Sequence, residues 1–273
     1  MVFDDACPLC VAYTRFFVRT GLLPVAGRVP YSEAIHSEYK NLIDQNRGVN
    51  EIPLLDLENK TTYYGVDALL KVLGSRWPVF HWVSRIKPLY WLVLRLYFMV
   101  SLNRKVIVPP SFCNSDSCSP RFNLKYRLTY FTMAMAFTAS VFYAFANKLN
   151  YTNLPVYTVS HGLDVLLLFM PAVFLQLLFS YLLYRPLFWS YVGHIGTFNI
   201  IGALVLLPGF AMFYLVPFTK FVIFGGILTS VLVKGVMNIR RCRAIGIPTG
   251  YALVWSLLFL ISFLAGWFGL IVS

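Results

Sequence analysis

The chain has 273 residues, of which 58% are hydrophobic and 12% charged, about half the charged fraction of an ordinary soluble domain. This composition excludes a disordered chain and argues against a purely soluble protein. The net charge is divided unevenly, with −2 on residues 1–75, +8 on residues 76–127 and +6 on residues 128–273. Because the basic segment adjoins the most apolar part, we expect it to contact anionic lipid headgroups rather than nucleic acid.

The first predicted elements are a short strand and an amphipathic helix. The apolar residues 1–3 predict the strand, and the helix that follows is expected to end at Gly21 or Pro24. Cys7 and Cys10 lie between the two, with Cys7 near the helix amino terminus. There, unpaired backbone N–H groups and the helix dipole favour the thiolate, which is the attacking species in disulfide exchange. A Cys-x-x-Cys pair in this context predicts redox chemistry, with Cys7 as nucleophile and Cys10 as resolving thiol.

A hairpin is predicted next. Residues 51–57 form its first strand, residues 61–64 return as the second, and Gly65 leads into a helix. In thioredoxin-like folds, a cis proline before such a hairpin abuts the Cys-x-x-Cys motif. By this analogy the Ile52–Pro53 bond is predicted to be cis, and the alternative is a trans proline at the start of a strand.

Residues 79–100 are apolar but are not predicted to cross a membrane. Arg85, Lys87 and Arg95 interrupt them, and a charge at the bilayer centre costs about 2.5–3.5 kcal/mol. We expect a helix or a helix pair packed on the soluble domain, with its aromatic side near the membrane surface.

The amino-terminal part resembles the DCC family of thiol-disulfide oxidoreductases, a thioredoxin-like group named for one Asp and two Cys. The resemblance covers residues 3–104 and implies an α/β thioredoxin-like fold with thiol–disulfide exchange activity. The matching residues are Asp4, Cys7 and Cys10 in the pattern D-x-x-C-x-x-C, Gly65-Val66-Asp67-Ala68, the aromatic-rich stretch from Trp77 to Tyr97, and Asn103-Arg104.

Two acidic residues beside the motif carry separate expectations. Asp4 is either an acid–base residue that moves a proton to or from the cysteine pair, or a carboxylate that holds the strand–helix junction. Asp5 stands where the family usually has Gly, and its negative charge is expected to raise the thiol pKa.

A second cysteine pair, Cys113 and Cys118, lies in a polar linker. It is a second redox pair that exchanges electrons with Cys7 and Cys10, or it completes a four-thiolate zinc site with them, or it has no catalytic part. Zinc would make the first motif structural.

Five apolar runs of spanning length follow, at about 128–147, 159–184, 187–207, 211–234 and 251–271. Pro208-Gly209 is expected to separate the third from the fourth. The connecting segments on the amino-terminal side hold Arg185 and Arg240, Arg241 and Arg243, whereas the other side holds only Lys148. The positive-inside rule then places the amino-terminal domain in the cytoplasm and the carboxyl terminus outside.

Several polar residues fall in or near these runs and are candidates for function. A quinone or proton site at His194 and Asn199 is one interpretation, and hydrogen bonds between packed helices are the other. The full set is His161, Asp164, Gln176, His194, Asn199 and Lys220.

Together these features predict three segments: a thioredoxin-like domain at 1–105, a basic linker at 106–127 and an all-α transmembrane domain of about five helices at 128–273. The predicted function is a membrane-anchored thiol-disulfide oxidoreductase in a bacterial inner membrane. Its partners would be a protein or small-molecule disulfide or thiol and the bilayer, without nucleic acid. Exchange itself requires no cofactor, with quinone or zinc as alternatives. The rival function is a non-enzymatic membrane subunit or transporter-like protein with a docking or zinc-stabilised module.

Overall fold

The computed structural model describes residues 1–109, 120–149, 162–212 and 219–267. The chain divides into two compact units, Met1–Arg127 and Leu128–Ser273. The first unit is α/β and the second is helical throughout its described residues.

Two short sheets form the centre of the first unit. Strand β1 (Val2–Phe3) pairs in parallel with β2 (Val29–Pro30), and β3 (Pro53–Asp56) pairs with β4 (Thr61–Tyr64) as an antiparallel hairpin. Strand β1 also lies beside β3. The predicted hairpin is therefore confirmed, and its second strand has the predicted bounds.

In the described part of this unit, six helices surround these strands. Helices α5 and α6 form the helix pair that the sequence predicts for residues 79–100, and α6 contacts α4. The helices are α1 (Pro8–Arg19), α2 (Tyr31–Ala34), α3 (Gln45–Gly48), α4 (Gly65–Gly74), α5 (Val79–Arg85) and α6 (Lys87–Ile107), with 3₁₀ turns at Val25–Gly27 and Glu38–Leu42.

Helix α1 begins as its sequence predicts and ends at Arg19, two residues before the predicted Gly21. Pro8 occupies the first turn, where a missing N–H costs nothing, and Cys7 is the residue that precedes the helix. Phe17 is buried, whereas Arg15 and Arg19 are exposed. Gly21 follows the helix and has a φ of 71°, a conformation that suits a residue without a side chain.

The predicted cis bond at Pro53 is wrong, because the described residues contain no cis peptide bond. Pro53 opens strand β3, where a trans proline fits since its missing N–H lies at the strand end. The carbonyl of Ile52 accepts from the backbone N–H of Gly65 at 3.0 Å, which closes the hairpin at the same point.

The described part of the second unit is built from five helices. The first of them, α7, begins at Leu124, four residues before the boundary of the unit at Leu128. Gly209 lies against the Phe145 ring, and α9 and α10 have the most extensive contact of any helix pair. The bounds are α7 (Leu124–Leu149), α8 (Gly162–Leu183), α9 (Phe188–Met212), α10 (Thr219–Ile245) and α11 (Thr249–Trp267).

Two helix boundaries differ from the sequence prediction. Pro208-Gly209 does not end a helix, since α9 continues to Met212 with the proline inside it. A proline removes one backbone hydrogen bond, which a long helix packed on its neighbours tolerates. Helix α10 extends eleven residues past the predicted end at 234, so the arginines 240, 241 and 243 are helical rather than in a loop.

Apolar length is sufficient for membrane crossing in two stretches of the described residues, Leu124–Phe145 and Arg185–Gly209. Two shorter apolar helical stretches are Met170–Leu183 and Thr249–Ile261.

Candidate functional site

The two cysteines of the first motif meet at the start of α1. Cys7 precedes the helix and Cys10 lies in its first turn, and both are unbridged and buried, with 2% and 7% of their surface exposed. Their sulfur atoms and a carboxylate oxygen of Asp4 lie within 4.8 Å of one another. The helical turn thus brings both thiols within reach of one another, as the two-residue spacing predicts.

The two thiols differ strongly in acidity. A hydrogen bond from the Cys10 thiol is the largest cause that lowers the pKa of Cys7, from 9.0 to about 7, and the Cys10 backbone amide acts in the same direction. Donating that hydrogen bond, together with burial, raises the pKa of Cys10 far above its ordinary value. Near pH 7 the pair therefore holds a thiolate on Cys7 and a proton on Cys10, the distribution that a nucleophile and a resolving thiol require.

Asp4 bridges the strand end, the helix start and a distant arginine. Its Oδ1 accepts from the Ala6 backbone N–H at 3.1 Å, and its Oδ2 accepts from Arg104 Nη2 at 2.9 Å. The ion pair is buried, with side-chain exposures of 7% for Arg104 and 9% for Asp4. The positive charge of Arg104 lowers the pKa of Cys7, and the negative charge of Asp4 raises it.

These contacts fix the position of the Asp4 side chain. They do not test its role in proton transfer, which stays a prediction. Both carboxylate oxygens are engaged in the junction, as one of the two interpretations requires. Asp5 is directed elsewhere, because its carboxylate accepts hydrogen bonds from the Ser32 backbone and hydroxyl at 3.4 and 3.0 Å.

One face of α6 makes hydrogen bonds to the backbone of residues 49–52, the segment that precedes β3. The Tyr97 hydroxyl accepts from the Ile52 N–H at 3.0 Å, the Ser101 hydroxyl donates to the Asn50 carbonyl, and Arg104 donates to the Val49 carbonyl at 3.1 Å. Positions 97, 101 and 104 follow the helical repeat, which places them on one face.

A glycine is needed where this face meets β4. Gly65 has φ of 59°, and a Cβ there would approach a Glu51 carboxylate oxygen to 2.8 Å and the Tyr97 ring to 3.2 Å. The glycine of the family motif therefore serves both backbone conformation and the close approach of α6.

Sequence reasoning missed Arg104 as a site residue, although it lies in the Asn103-Arg104 match. The available signal was the spacing of residues 97, 101 and 104, which puts three polar side chains on one face of a helix.

Among the described residues, one group has side chains close enough together to hold a metal ion, and it consists of Asp4, Cys7 and Cys10. A structural zinc takes four ligands, and both Asp4 oxygens already accept hydrogen bonds. Cys113 and Cys118, the other ligands of the four-thiolate alternative, lie outside the described residues, so that alternative stays open.

The polar residues of the second unit join helices to one another. Gln176 Nε2 donates to the Tyr191 hydroxyl at 2.6 Å, which links α8 to α9. The Tyr191 hydroxyl donates to Asn238 Oδ1 at 3.0 Å, and His194 Nδ1 lies 2.9 Å from Arg241 Nη1, which links α9 to α10.

Of the remaining candidates in this unit, the structure describes the side chain of Asn199. Asn199 donates to the Ile195 carbonyl of its own helix at 3.0 Å. Asp164 and Lys220 lie in α8 and α10 at positions whose side chains are not described, and His161 lies outside the described residues. A quinone or proton site at His194 and Asn199 stays a prediction.

Residues 1–108 match the family model of the DCC1-like thiol-disulfide oxidoreductases. The amino-terminal part of the chain is therefore a DCC1-like domain, which confirms the resemblance drawn from the sequence and supports a thiol–disulfide function. No curated protein and no solved structure matches the chain.

Proposed function

We propose that the protein is a membrane-anchored thiol-disulfide oxidoreductase of thioredoxin-like type, with Cys7 as nucleophile and Cys10 as resolving thiol. The observation that carries the proposal is the buried pair in which a hydrogen bond from Cys10 lowers the pKa of Cys7 to about 7. At that pKa, about half of Cys7 is thiolate at pH 7, compared with a few per cent for an ordinary cysteine.

The reaction proceeds in two exchanges. The Cys7 thiolate attacks one sulfur of a partner disulfide, which forms a mixed disulfide and releases a thiolate. Cys10 then loses its proton and attacks the Cys7 sulfur, which forms the Cys7–Cys10 disulfide and releases the second thiol. The protein is oxidised by two electrons and the partner is reduced by two, without a cofactor. In a reducing compartment the pair acts as a reductant.

Attachment to the membrane is supported by exposed apolar helix faces in the second unit. On α11 the exposed residues recur at helical spacing, from Leu253 and Val254 through Leu257 and Leu258 to Ile261. Helix α8 exposes Phe174, Leu178 and Leu182 in the same way. Helices of 19 to 27 residues are long enough for a hydrocarbon core of about 30 Å, so each of α7–α11 is proposed to cross once.

The orientation follows from the basic residues at the helix ends. Lys125 and Arg127 lie at the start of α7, Arg185 precedes α9, and Arg240 and Arg243 lie near the end of α10. On the proposal that each of these five helices crosses once, the basic ends share one side, and the positive-inside rule supports a cytoplasmic DCC1-like domain in a bacterial inner membrane. Labelling of Cys113 by a membrane-impermeant thiol reagent in intact cells would contradict this orientation.

The proposal is tested by trapping the mixed disulfide. With Cys113, Cys118 and Cys242 replaced by alanine, the full chain is reduced and treated with a small disulfide. In the added Cys10→Ala variant, attack by Cys7 stops at the mixed disulfide, and intact-mass spectrometry shows one adduct per chain. Without that substitution, the adduct resolves and the chain is two mass units lighter than the reduced form.

The matched control is Cys7→Ala in the same background, which is expected to form no fast adduct while its thermal unfolding stays close to that of the parent. Equal adduct formation at Cys10 in this control would overturn the assignment of the nucleophile. An unfolded Cys7→Ala protein that had contained one zinc would favour the rival, a zinc-stabilised module.

A further inference from the structure

A cavity of about 300 Å³ lies inside the first unit against Cys10, the thiol next to Cys7. Cys10, Asp4 and Arg104 form part of its wall, so it is continuous with the candidate site. The rest is dominated by aromatic and aliphatic side chains, and the rings that line it are Phe3, Tyr13, Phe17, Tyr31 and Tyr97.

The cysteines are inaccessible to a large partner in this conformation. Cys7 is 2% exposed and Cys10 is 7% exposed, so a disulfide on a protein surface cannot approach either sulfur directly. The cavity supplies a route from the side of Cys10, whose sulfur lies within 4.8 Å of the Cys7 sulfur. Val100 lines the cavity and is 40% exposed, which marks where the cavity meets the surface.

The charges in the wall disfavour an anionic occupant. Asp4 is balanced by Arg104, and Glu51 adds a second carboxylate whose partner, Arg47, lies outside the lining. The Cys7 thiolate adds a further negative charge next to the cavity. The lining polar groups at Ser101 and Tyr97 are already engaged with the backbone of residues 50 and 52. An apolar, uncharged occupant therefore fits best.

We infer that the cavity is the substrate site, and that it takes a small, uncharged aromatic or aliphatic disulfide. This inference rests on the proposed function and adds the substrate class. Cys7 attacks the disulfide sulfur at the Cys10 end of the cavity, one organic thiolate leaves and takes up a proton, and Cys10 then releases the second thiol. The dithiol of the protein is oxidised, and the small disulfide is reduced to two thiols.

The test compares two aryl disulfides of similar size and opposite fit. Dithiodipyridine is uncharged near neutral pH, whereas dithiobis(nitrobenzoate) carries two negative charges, and both release a coloured thiol. The reduced full chain in lipid nanodiscs, with Cys113, Cys118 and Cys242 replaced by alanine, is mixed with each under single-turnover conditions. Each rate is divided by the rate of dithiothreitol with the same reagent, which removes intrinsic reactivity.

The normalised rate is expected to favour the neutral disulfide by at least about tenfold. Val100→Trp places a large side chain at the cavity mouth and is expected to lower the neutral rate by about tenfold or more. Leu96→Trp is the matched control, because Leu96 is exposed on the same helix but does not line the cavity. It is expected to leave the rate unchanged, and it corrects for partition of the reagent into lipid.

A second variant, Leu73→Trp, fills the cavity from α4 and guards against a failure of Val100→Trp to fold. The inference would be overturned by equal normalised rates for the two reagents. It would also be overturned if Val100→Trp and Leu73→Trp reacted with the neutral disulfide at the rate of Leu96→Trp. Neither result would contradict thiol exchange itself. If Cys7→Ala reacts as fast as the parent, the proposed function itself fails, so the two failures are distinguishable.

Discussion

At the residue scale, the acidity of Cys7 depends on a few groups arranged around it. The hydrogen bond from Cys10 is the largest cause that lowers its pKa, burial opposes it, and Arg104 and Asp4 act in opposite directions. Arg104 therefore has two effects, since it stabilises the Cys7 thiolate and neutralises the buried Asp4 carboxylate. Removing it should alter both acidity and stability.

Arg104→Gln is expected to raise the pKa of Cys7 and to destabilise the first unit. The reaction of Cys7 with iodoacetamide should show a midpoint near pH 7 in the parent and a higher midpoint in the variant. Because the substitution leaves Asp4 buried without its partner, we expect a loss of about 3–5 kcal/mol in the free energy of unfolding.

Arg76→Gln is the matched control for this experiment. Arg76 also donates to a carbonyl, that of Thr20 at 2.8 Å, but this contact is exposed and remote from the thiols. It should change neither the midpoint nor the stability by more than about 0.5 kcal/mol. An unchanged midpoint in Arg104→Gln would show that the arginine is only structural.

Sequence patterns located the thiols but not what surrounds them. Cys7, Cys10 and the start of α1 follow from local rules of helix capping and spacing, which act within a few residues. The partnership of Asp4 with Arg104 joins positions one hundred residues apart, and no periodicity predicts such a contact. Pro53 is trans at the start of β3, which is the alternative to the cis bond that fold analogy favoured.

At the element scale, helices α5 and α6 expose an aromatic and basic surface. Trp82 and Trp91 are 60% and 57% exposed, and each lies near an arginine, with 5.9 Å from Arg85 to the Trp82 ring and 5.3 Å from Arg95 to the Trp91 ring. Further exposed apolar residues lie along the same two helices, at Val79, Ile86, Leu89, Leu92 and Leu96. Such a mixture is typical of a helix that lies at the membrane interface.

We therefore expect Trp82 and Trp91 to contact lipid headgroups and upper acyl chains. In full-length proteins with a single tryptophan, reconstituted in vesicles that contain phosphatidylglycerol, brominated lipid should quench both positions and aqueous iodide should quench them weakly. Because Arg85 and Arg95 are attracted to anionic headgroups, vesicles that contain only zwitterionic lipid should bind this surface less. Brominated lipid should then quench the two tryptophans less, and iodide should quench them more.

A tryptophan introduced by Phe16→Trp serves as the exposed control, since Phe16 is 53% exposed on α1. Iodide should quench it fully in both kinds of vesicle. If iodide reaches positions 82 and 91 as readily as position 16, the face is turned to water and the interface assignment is wrong.

Element boundaries were harder to predict in the second unit than element positions. The apolar runs locate α7, α9 and α11 to within a few residues, because composition alone distinguishes them. The ends depend on packing instead. Helix α9 continues through Pro208, and α10 extends past Lys234 to bring Arg241 against His194 at 2.9 Å.

At the scale of the whole molecule, the chain joins a thiol–disulfide domain to a helical unit, and five cysteines are distributed over both. Cys7 and Cys10 lie in the first unit and Cys242 is buried in the second. Cys113 and Cys118 lie in the segment between residues 109 and 120, outside the described residues. Whether they belong with the first pair is a question of redox state and metal content in the full chain.

A thiol count with metal analysis on the full-length protein separates the possibilities. We expect no bound zinc, because the proposed exchange reaction requires Cys7 and Cys10 as free thiols. Within the described residues the engaged Asp4 oxygens leave these two thiols as ligands where a structural site requires four. The fully reduced protein should show five thiols under denaturing conditions. The oxidised protein should show three if only Cys7 and Cys10 are bridged, and a single thiol if Cys113 and Cys118 also form a disulfide. The Cys7→Ala variant should not form the Cys7–Cys10 disulfide and should retain its fold.

One zinc per chain, with thiols freed by a chelator but not by a reductant, would instead mean that Cys113 and Cys118 complete a four-thiolate site. The oxidoreductase assignment would then be wrong.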